Sequence, residues 1–504
     1  MMTQTILFYS NDITPRLRYT MESIVGNLLG LNFVFTQDKE PFVVANMPKI
    51  NYSSERFSQN ELFVESHDLL FDKTIKTYVI EKWGDFFSNK PSDGVILNHP
   101  VTNFDTADFD FDVFARIFFL VSRYEEYNLD PSVSQFRISD FRFWQHLRLN
   151  PKSEIRNPNP SVLDDHGRFS STKSVASKLD FLQQPLVNQY VITLSEKLKA
   201  RFPDLDMSLP MYRFQPTFDI DNAWLYRNKG FLRNAGGFFK DILSGNFERV
   251  KNRADILRGV IDDPYFTFDY IQKLHQEYGF SPVVFWLLGD LGKYDKNISW
   301  KNKAFQELLR MLAKQYKVGI HPSYRSNDGV FILKKEVLRL AKILQNDASN
   351  TAQNNAQNPF YTEGSSFEKN RIFSFPSRQH FLKLRFPETY WLLLAVGVQA
   401  DWTMGYADET GFRASIATPF PWFDLEKNLE TPLIIHPFQA MDVTLKNYLN
   451  LTPEAATARL RTLIRTTRDV GGTFTPLWHN DNLSEIDGWE GWREVYERLL
   501  KDAI

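Results

Sequence analysis

The feature of this sequence that most constrains its fold is an alternation of strand and helix patterns from Arg213 to Ile504. Short apolar runs are separated by segments in which apolar residues recur at helical spacing, which favours parallel strand pairing in a sheet or a barrel. Helices are predicted over residues 263–278, 302–315, 334–344 and 387–396. Seven strands are predicted, over residues 212–220, 282–288, 317–321, 372–376, 399–404, 432–436 and 472–478.

The first part of the chain lacks this regular alternation. Because 504 residues exceed the size of one ordinary domain, we expect two domains, over residues 1–205 and 206–504. The first is predicted to be an α+β or α/β domain of unknown role, with helices over residues 111–121 and 178–199. Pro185 marks either a break in the second of these helices or its true start.

Two polar segments are predicted to be irregular. Residues 151–171 are rich in Pro, Asn and Ser, and the polar group from Asp164 to Arg168 within them is interpreted as a solvated turn. A flexible polar insertion is predicted near residues 345–370, because Asn, Gln, Ala and Ser dominate its first half. Neither segment suggests a function. Acidic Asp108 and Asp110 are predicted to cap the helix that begins near residue 111.

Composition excludes several classes of site and partner. The chain contains no cysteine, so zinc–thiolate sites, iron–sulfur ligation and thiol nucleophiles are absent, and any metal must be held by Asp, Glu or the nine histidines. Its 59 basic and 61 acidic residues nearly cancel, which argues against a protein whose affinity for nucleic acid or for an anionic membrane rests on bulk positive charge. No signal peptide or membrane span is recognisable, so the sequence predicts a soluble, cytoplasmic protein.

Ionisable residues gather at the ends of the predicted strands. Asp219 and Asp221 end the first strand, and the alternation of an extended chain puts their side chains on one face. Four of the nine histidines lie at or just beyond strand ends: His321, His380, His436 and His479. Because active sites of parallel α/β proteins form at the carboxyl ends of strands, these groups are predicted to converge.

Such a group of residues is typical of metal-assisted hydrolysis. One carboxylate and one or more imidazoles hold a divalent ion, which polarises a carbonyl and lowers the pKa of bound water. A second carboxylate accepts the proton of the water, and a separate histidine protonates the leaving group. The carboxylate pair alone would be weak support for this chemistry, since Asp after a strand is often only a turn former or a helix cap.

In the order of its motifs, the segment from Arg213 onward resembles the polysaccharide deacetylase superfamily (carbohydrate esterase family 4). The resemblance implies a distorted (β/α)7 barrel. The family's first motif carries a catalytic base and then a metal ligand, and Phe218-Asp219-Ile220-Asp221 is similar to its spaced variant. The resemblance therefore implies that Asp219 is the base and that Asp221 binds the metal.

The second motif departs from the family. Its first histidine corresponds to His321, but Arg325 stands where the second metal-binding histidine is expected. In one interpretation His380 replaces it, so that Asp221, His321 and His380 bind a divalent metal, zinc first, with cobalt or nickel as alternatives. In the other, the metal is lost and Arg325 or Arg378 binds an anionic group.

The remaining motifs imply further roles. Arg378 in Ser377-Arg378-Gln379-His380 is similar to the third-motif arginine at the groove wall, and Asp401-Trp402 is similar to the end of the fourth motif. His436 is similar to the fifth-motif acid, with His479 as a second candidate. Asp442 either orients His436 or caps a helix. The residues predicted to bind substrate are Arg378, Asp401, Trp402, Arg413 and Trp478, with an internal salt bridge for Arg413 and core packing for the tryptophans as alternatives.

These observations predict an enzyme of the deacetylase type. It would hydrolyse an acyl (acetyl) group from an amino sugar or glycan intermediate, with carbohydrate as its partner and no nucleic acid. Two alternatives stay open. One is a metal-free hydrolase with carboxylate and histidine acid–base chemistry, and the other is a catalytically silent carbohydrate-binding protein on the same barrel.

Overall fold

The structure, a computed structural model, describes residues 5–75, 107–127, 163–348 and 374–504. Its N-terminal part contains a parallel sheet of order β2-β1-β3-β4. The strands are β1 Thr5–Ser10, β2 Asn32–Thr36, β3 Lys49–Ser53 and β4 Leu62–Glu65. All five residues of β3 are buried, as expected for an inner strand covered on both faces.

Six α-helices accompany this sheet in the described residues: α1 Pro15–Met21, α2 Lys39–Val44, α3 Val113–Val121, α4 Tyr124–Tyr127, α5 Val175–Lys178 and α6 Leu186–Arg201. The two predicted helices are confirmed as α3 and α6, and Pro185 marks the start of α6. The predicted cap of α3 is wrong by a few residues. The Asp112 carboxylate accepts from the Ala115 N–H at 2.8 Å, whereas Asp108 pairs with Arg56 and Arg201.

The C-terminal part contains ten further strands, and most of its sheet pairing is parallel. They are β5 Arg213–Phe214, β6 Thr217–Ile220, β7 Val283–Leu287, β8 Lys317–His321, β9 Ala400–Asp401, β10 Phe420–Asp424, β11 Leu429–Ile435, β12 Ala440–Met441, β13 Thr473–Phe474 and β14 Pro476–His479. One sheet has the parallel order β12-β14-β6-β7-β8. A second has the order β10-β11-β9, and only its β10–β11 pair is antiparallel.

The two sheets are joined by a backbone bridge at one end and by a short chain connection at the other. Ser377 bridges Ile320 of β8 and Asp401 of β9. At the other end, only residues 436–439 separate β11 from β12. The order of strands therefore leads from β14 through β6, β7 and β8 to Ser377, β9 and β11. The chain then passes from β11 to β12, which pairs with β14. This is a mixed α/β fold with parallel sheets, and six of the seven predicted strands overlap strands of the structure.

The seventh predicted strand, over residues 372–376, lies partly outside the described residues, and β10 and β12 were not predicted. The α-helices of this part are α7 Phe231–Leu243, α8 Phe247–Arg258, α9 Phe268–Tyr278, α10 Lys303–Ala313, α11 Val330–Ala348, α12 Glu388–Ala395, α13 Pro453–Asp469 and α14 Trp492–Ala503. Gly279 ends α9 in a left-handed conformation, directly after the last residue of the helix predicted over residues 263–278. Asp263 does not cap α9; its carboxylate accepts the N–H groups of Leu225, Tyr226 and Arg227.

The two parts of the chain share one hydrophobic core. The Tyr19 hydroxyl donates to the Pro421 carbonyl at 2.7 Å, and the rings of Tyr19 and Phe118 pack on Phe423 at 5.0 and 5.1 Å. The division at residue 205 stays a prediction. In the part of the chain that the structure describes, none of the helices combines the length and apolar character that a membrane crossing requires.

Candidate active site

The ends of β6, β8 and β14 bring four of the predicted residues together. Asp219 lies within β6 and Asp221 directly follows it, while β8 and β14 end with His321 and His479. Asp219 and His479 are register partners, because β14 pairs with β6 in parallel. His380 joins them from the segment after the Ser377 bridge. The carboxyl ends of these segments thus form one cluster of carboxylates and imidazoles.

Asp221, His321 and His380 form a group with the spacing of metal ligands. One ligand atom from each lies within 4.8 Å of the other two. The Nε2 atoms of His321 and His380 lie 3.4 Å from Asp221 Oδ1 and Oδ2, respectively. Burial alone would raise the pKa of the Asp221 carboxyl, but the imidazoles of His380 and His321 hold this pKa well below its usual value.

The other ring nitrogen of each histidine is already used. His321 Nδ1 donates to the Arg378 carbonyl at 2.6 Å, because a carbonyl oxygen can only accept. His380 Nδ1 lies 2.8 Å from Asp295 Oδ1. Both contacts leave Nε2 as the nitrogen that faces Asp221, and such outer contacts orient histidines that bind metals.

This donor set fits a divalent metal. Two imidazole nitrogens and one carboxylate oxygen are three protein ligands, which leaves a fourth position for water or substrate, as in catalytic zinc sites. Asp221 Oδ1 is buried and makes no hydrogen bond within the described residues. A buried carboxylate oxygen without a hydrogen bond is costly, and a bound cation would compensate it.

Asp219 lies beside this group and is held by Arg378. Arg378 Nη1 donates to Asp219 Oδ1 at 3.0 Å and to Thr217 Oγ1 at 2.8 Å, and its Nε donates to the Trp402 carbonyl. Its side chain is fully buried. Burial lowers the pKa of Arg378, and Asp219 partly offsets this effect. Arg378 was predicted to line the substrate groove; the structure places it beneath Asp219 instead.

His479 is the imidazole that flanks the group on its other side. Its Nδ1 lies 2.9 Å from Asp442 Oδ1, and its Nε2 lies 4.0 Å from Asp221 Oδ2. Asp442 also accepts the His479 N–H and the Asn482 side-chain amide. Burial opposes protonation of His479, but Asp442 outweighs it and raises the pKa of His479 to about 10. Asp442, which was expected to orient His436, therefore orients His479 instead.

His436, the first candidate for the acid, lies elsewhere. Its ring stacks on Trp402 with centroids 4.1 Å apart and planes 2° apart, and its N–H donates to the Asp401 carbonyl. Burial lowers the pKa of His436 to about 3, with a smaller effect from Lys317. Among the described residues, no carboxylate lies within ion-pair distance of this ring.

The other residues predicted to bind substrate are engaged within the protein. Asp401 accepts from Ser377 Oγ and from Thr403 N and Oγ1. Arg413 is buried and pairs with Glu126 at 2.5 Å. Trp402 and Trp478 are buried, with Trp402 against His436 and Trp478 against Tyr496. Arg325 has a side chain that is 70% exposed, 3.8 Å from Asp328, and contacts none of the proposed metal ligands in the described structure.

The sequence analysis missed an aromatic rim beside His380, formed by His166, Tyr294, Tyr324 and Phe381. Phe381 packs on His380 and on His166 with ring centroids 4.7 and 4.8 Å apart, and Tyr294 lies 4.2 Å from Tyr324. The available signal was the polar group at residues 164–168, interpreted as a solvated turn. It contains His166, and Arg168 reaches the Phe381 carbonyl at 2.9 Å.

The backbone of Phe381 supports a role for this rim. Its φ of 61° is in the left-handed region. This conformation costs a residue other than glycine about 1–2 kcal/mol. Strain of this kind persists only where the surroundings hold it, and it is frequent at functional sites.

Comparison with known proteins gives a coarse context. A family described only as of unknown function (DUF7033) matches residues 6–137 and 157–203. A search of curated proteins found no match. A protein from Mycobacterium smegmatis, provisionally named a polysaccharide deacetylase, has a solved structure that aligns with a TM-score of 0.35 at 14% identity, over 58% of this chain and 84% of its own. At this level the alignment carries no weight, so function is argued from the site itself.

Proposed function

We propose that this protein is a metal-dependent hydrolase that removes an acyl group, most simply acetyl, from an amino sugar or glycan intermediate. The observation that carries the proposal is the geometry around Asp221. Two imidazole Nε2 atoms face its carboxylate, while a second carboxylate and a third imidazole flank it, each fixed by its own buried partner. These are the groups that hydrolysis of an amide requires.

The proposed ligands are Asp221, His321 and His380, and the proposed metal is zinc, with cobalt and nickel as alternatives. Mixed nitrogen and oxygen ligands suit all three ions, and zinc commonly takes three protein ligands in catalytic sites. A divalent ion held here would polarise the substrate carbonyl and lower the pKa of bound water. In this assignment His380 takes the role of the second-motif histidine, whose position in this sequence is occupied by Arg325.

The protein's own residues supply the proton transfers. Asp219, held by Arg378, accepts a proton from the attacking water while the oxygen of that water forms a bond to the acyl carbon. His479, held in its protonated form by Asp442, donates a proton to the departing amine nitrogen as the C–N bond breaks. The products are the free carboxylic acid and the amine. The aromatic rim offers flat apolar faces of the kind that stack on sugar rings.

The order of strands leads from β14 through both sheets and back to β14, which supports our proposal that the fold is a distorted (β/α)7 barrel of the deacetylase type. A carbohydrate or amino-sugar partner, a cytoplasmic location and a domain boundary at residues 205–206 belong to the same proposal. We assign Arg378 and Asp442 as positioning residues, because each acts through Asp219 or His479. His436, Trp402, Trp478, Asp401 and Arg413 receive no catalytic role.

Metal analysis combined with acetate release tests this function. Protein purified without a chelator or a metal-binding tag is expected to contain one divalent ion per chain, and to release acetate from N-acetylated amino sugars or nucleotide sugars. His380→Ala should lose both metal and turnover, whereas His436→Ala, a matched histidine outside the site, should keep the metal.

Three results would contradict the proposal in different ways. Protein that neither contains nor binds zinc, cobalt or nickel rules out the metal site. Acetate release by such protein would favour the metal-free hydrolase. Glycan binding without release under every metal condition would favour the catalytically silent carbohydrate-binding protein.

A further inference from the structure

The first connection after the acid pair contains a helical hairpin, residues 229–261, with an inverted distribution of polarity. In α7 the buried residues are Asn234 and Asp241, seven positions apart and therefore on one face. Leu232, Phe239 and Leu243 lie on the opposite face and are exposed. A surface helix normally buries its apolar face and exposes its polar one. Helix α7 does the reverse, whereas α8 buries the apolar Ile256.

The exposed apolar side chains are concentrated here. Of the twenty large apolar residues that are exposed in the described structure, nine belong to this one segment. They are Phe231 and Leu232 at 85%, Phe239, Ile242, Leu243 at 71%, Phe247 at 70%, Leu257, Val260 and Ile261. A patch of this density on a described surface marks a site that another surface covers.

Polar contacts hold the hairpin rigidly with this face outward. Arg253 of α8 pairs with Asp241 of α7 at 2.6 Å and lies directly over Gly237, where a Cβ would approach its guanidinium to 2.5 Å. The Asn234 side chain donates to the Tyr226 carbonyl. Because buried polar residues fix the inner face, the helices cannot simply rotate to bury their apolar side.

The hairpin also borders the candidate site. It begins eight positions after Asp221 in the chain, and Arg233 donates to the carbonyls of Lys296 and Asn297 in the connection after β7. Arg249 pairs with Asp487 in the connection after β14. The segment is thus fixed to connections that leave the same end of the strands at which Asp219, Asp221 and His479 lie.

Charge indicates what covers the patch. Residues 229–261 contain seven basic and three acidic residues, a net charge of +4 in a chain of net charge −2. Lys240, Lys251 and Arg258 are exposed beside the apolar side chains. Two copies of so basic a patch would repel each other, whereas an anionic bilayer attracts it. Exposed large apolar residues bordered by Lys and Arg are the features of helices that lie in the membrane interface.

We propose that residues 229–261 dock this protein on the surface of an anionic membrane, with the apolar face of α7 and the start of α8 inserted among the lipids. The docking is peripheral and requires no membrane-crossing segment. It places the end of the sheet that holds the candidate site next to the bilayer, so substrates at the membrane surface become accessible. Docking of this kind is independent of the metal site and its chemistry.

Vesicle co-sedimentation tests the docking without reference to turnover. The full chain is expected to bind vesicles of phosphatidylcholine mixed with phosphatidylglycerol more tightly than vesicles of phosphatidylcholine alone, and less tightly as salt increases. In the double variant Phe239→Glu/Leu243→Glu, the affinity for the anionic vesicles should fall at least about tenfold for each side chain changed. Phe331→Glu, an exposed apolar position on α11, is the matched control and should bind as the parent does.

A second variant keeps the test decisive if the first fails to fold. Lys240→Glu/Lys251→Glu reverses two exposed charges on the same hairpin and should weaken binding to the anionic vesicles about fivefold per residue, with little effect on neutral ones. Equal binding by parent and variants, or no binding to either vesicle, would overturn the proposal. So would a concentration-dependent dimer in sedimentation velocity that Phe239→Glu/Leu243→Glu abolishes, because a second copy would then cover the face.

Discussion

The protein buries two clusters of charged side chains that differ in how fully their charges are matched. The first, at the junction of the N- and C-terminal parts, contains Arg123, Glu125, Glu126 and Arg413. Both oxygens of Glu126 accept from arginine, Oε1 from Arg123 at 2.7 Å and from Arg413 at 2.9 Å, and Oε2 from Arg413 at 2.5 Å. Arg123 also pairs with Glu125 and contacts the Arg413 carbonyl.

The second cluster is the candidate site, where matching is incomplete. Asp221 Oδ1 has no hydrogen bond among the described residues, and the imidazole Nε2 atoms stay 3.4 Å from the carboxylate. Burial of a charge is tolerated when partners satisfy it, as at the junction. The difference teaches that a buried charge whose hydrogen-bonding atoms all have protein partners stabilises the fold. A buried charge that lacks such a partner, in a group with the spacing of ligands, is available to bind a metal or a substrate.

The largest effect is expected from Asp219→Asn. This change keeps the size of the side chain but removes the proton acceptor, so turnover should fall by about 10²–10⁴-fold. Steady-state acetate release measures it. Metal content should stay at the parental value, since Asp219 is not one of the proposed ligands. The thermal unfolding temperature should fall, because the buried guanidinium of Arg378 loses its carboxylate partner. Full activity in this variant would disprove the role of Asp219 as base.

Next in size is the effect of Glu126→Gln on stability. Because it leaves two buried guanidinium groups without their carboxylate, we expect the free energy of unfolding to fall by about 3–5 kcal/mol. Urea denaturation measures this change. Glu494→Gln breaks an exposed pair with Arg498 and should cost less than about 1 kcal/mol. Equal losses in the two variants would remove the distinction between the junction and an ordinary surface pair.

A smaller effect is expected from Asp442→Asn. Loss of the carboxylate removes the group that orients His479 and favours its protonated form, so kcat should fall about 10–100-fold. KM and metal content should change little, because Asp442 lies outside the proposed ligand set. Kinetics of the purified variant, with metal analysis in parallel, provide the measurement. A change confined to metal content would instead place Asp442 in support of the ligands.

The smallest effect on turnover is expected from His436→Phe, within about twofold of the parent, because this ring lies outside the cluster. Its effect on acid stability is separate. The folded state depresses the pKa of His436 to about 3, whereas the unfolded chain binds this proton near pH 6.5. Stability is therefore lost as pH falls from about 6.5 towards about 3.

His436→Phe removes this contribution, so its stability should decline less steeply with acidification. Urea midpoints measured near neutral pH and again about two pH units lower compare the two slopes. Parallel slopes would show that His436 does not titrate as its burial suggests. A large loss of turnover would return His436 to the candidate acids.

Much of this site was predictable because the ends of the strands in a parallel fold can be recognised from the sequence. Asp219, Asp221, His321 and His479 lie at carboxyl ends of strands that apolar runs identify, and the parallel pairing brings them together. The same signal misled for His436. After β11, residues within 436–439 still donate backbone hydrogen bonds to neighbouring segments, and the chain enters β12 without turning away. The side chain that follows the last paired residue is therefore Asp442 and not His436.

Other features depend on contacts that no local pattern encodes. The partner of Arg413 is Glu126, 287 positions away along the chain, so an internal ion pair and a substrate clamp look alike in the sequence. No helices were predicted over residues 229–261, and the outward orientation of their apolar side chains depends on tertiary contacts such as the pair between Arg253 and Asp241. The aromatic rim joins residues from four separate segments, and its assembly depends on tertiary packing.

Arg378 serves two groups of the site through different atoms of one residue. Its guanidinium holds Asp219, while its carbonyl oxygen orients His321. The separation between the proposed water activator and a proposed ligand therefore depends on the buried, hydrogen-bonded conformation of a single residue. In the divergence of related chains, neither group can shift without the other, so we expect change to accumulate in the surrounding connections while this spacing persists.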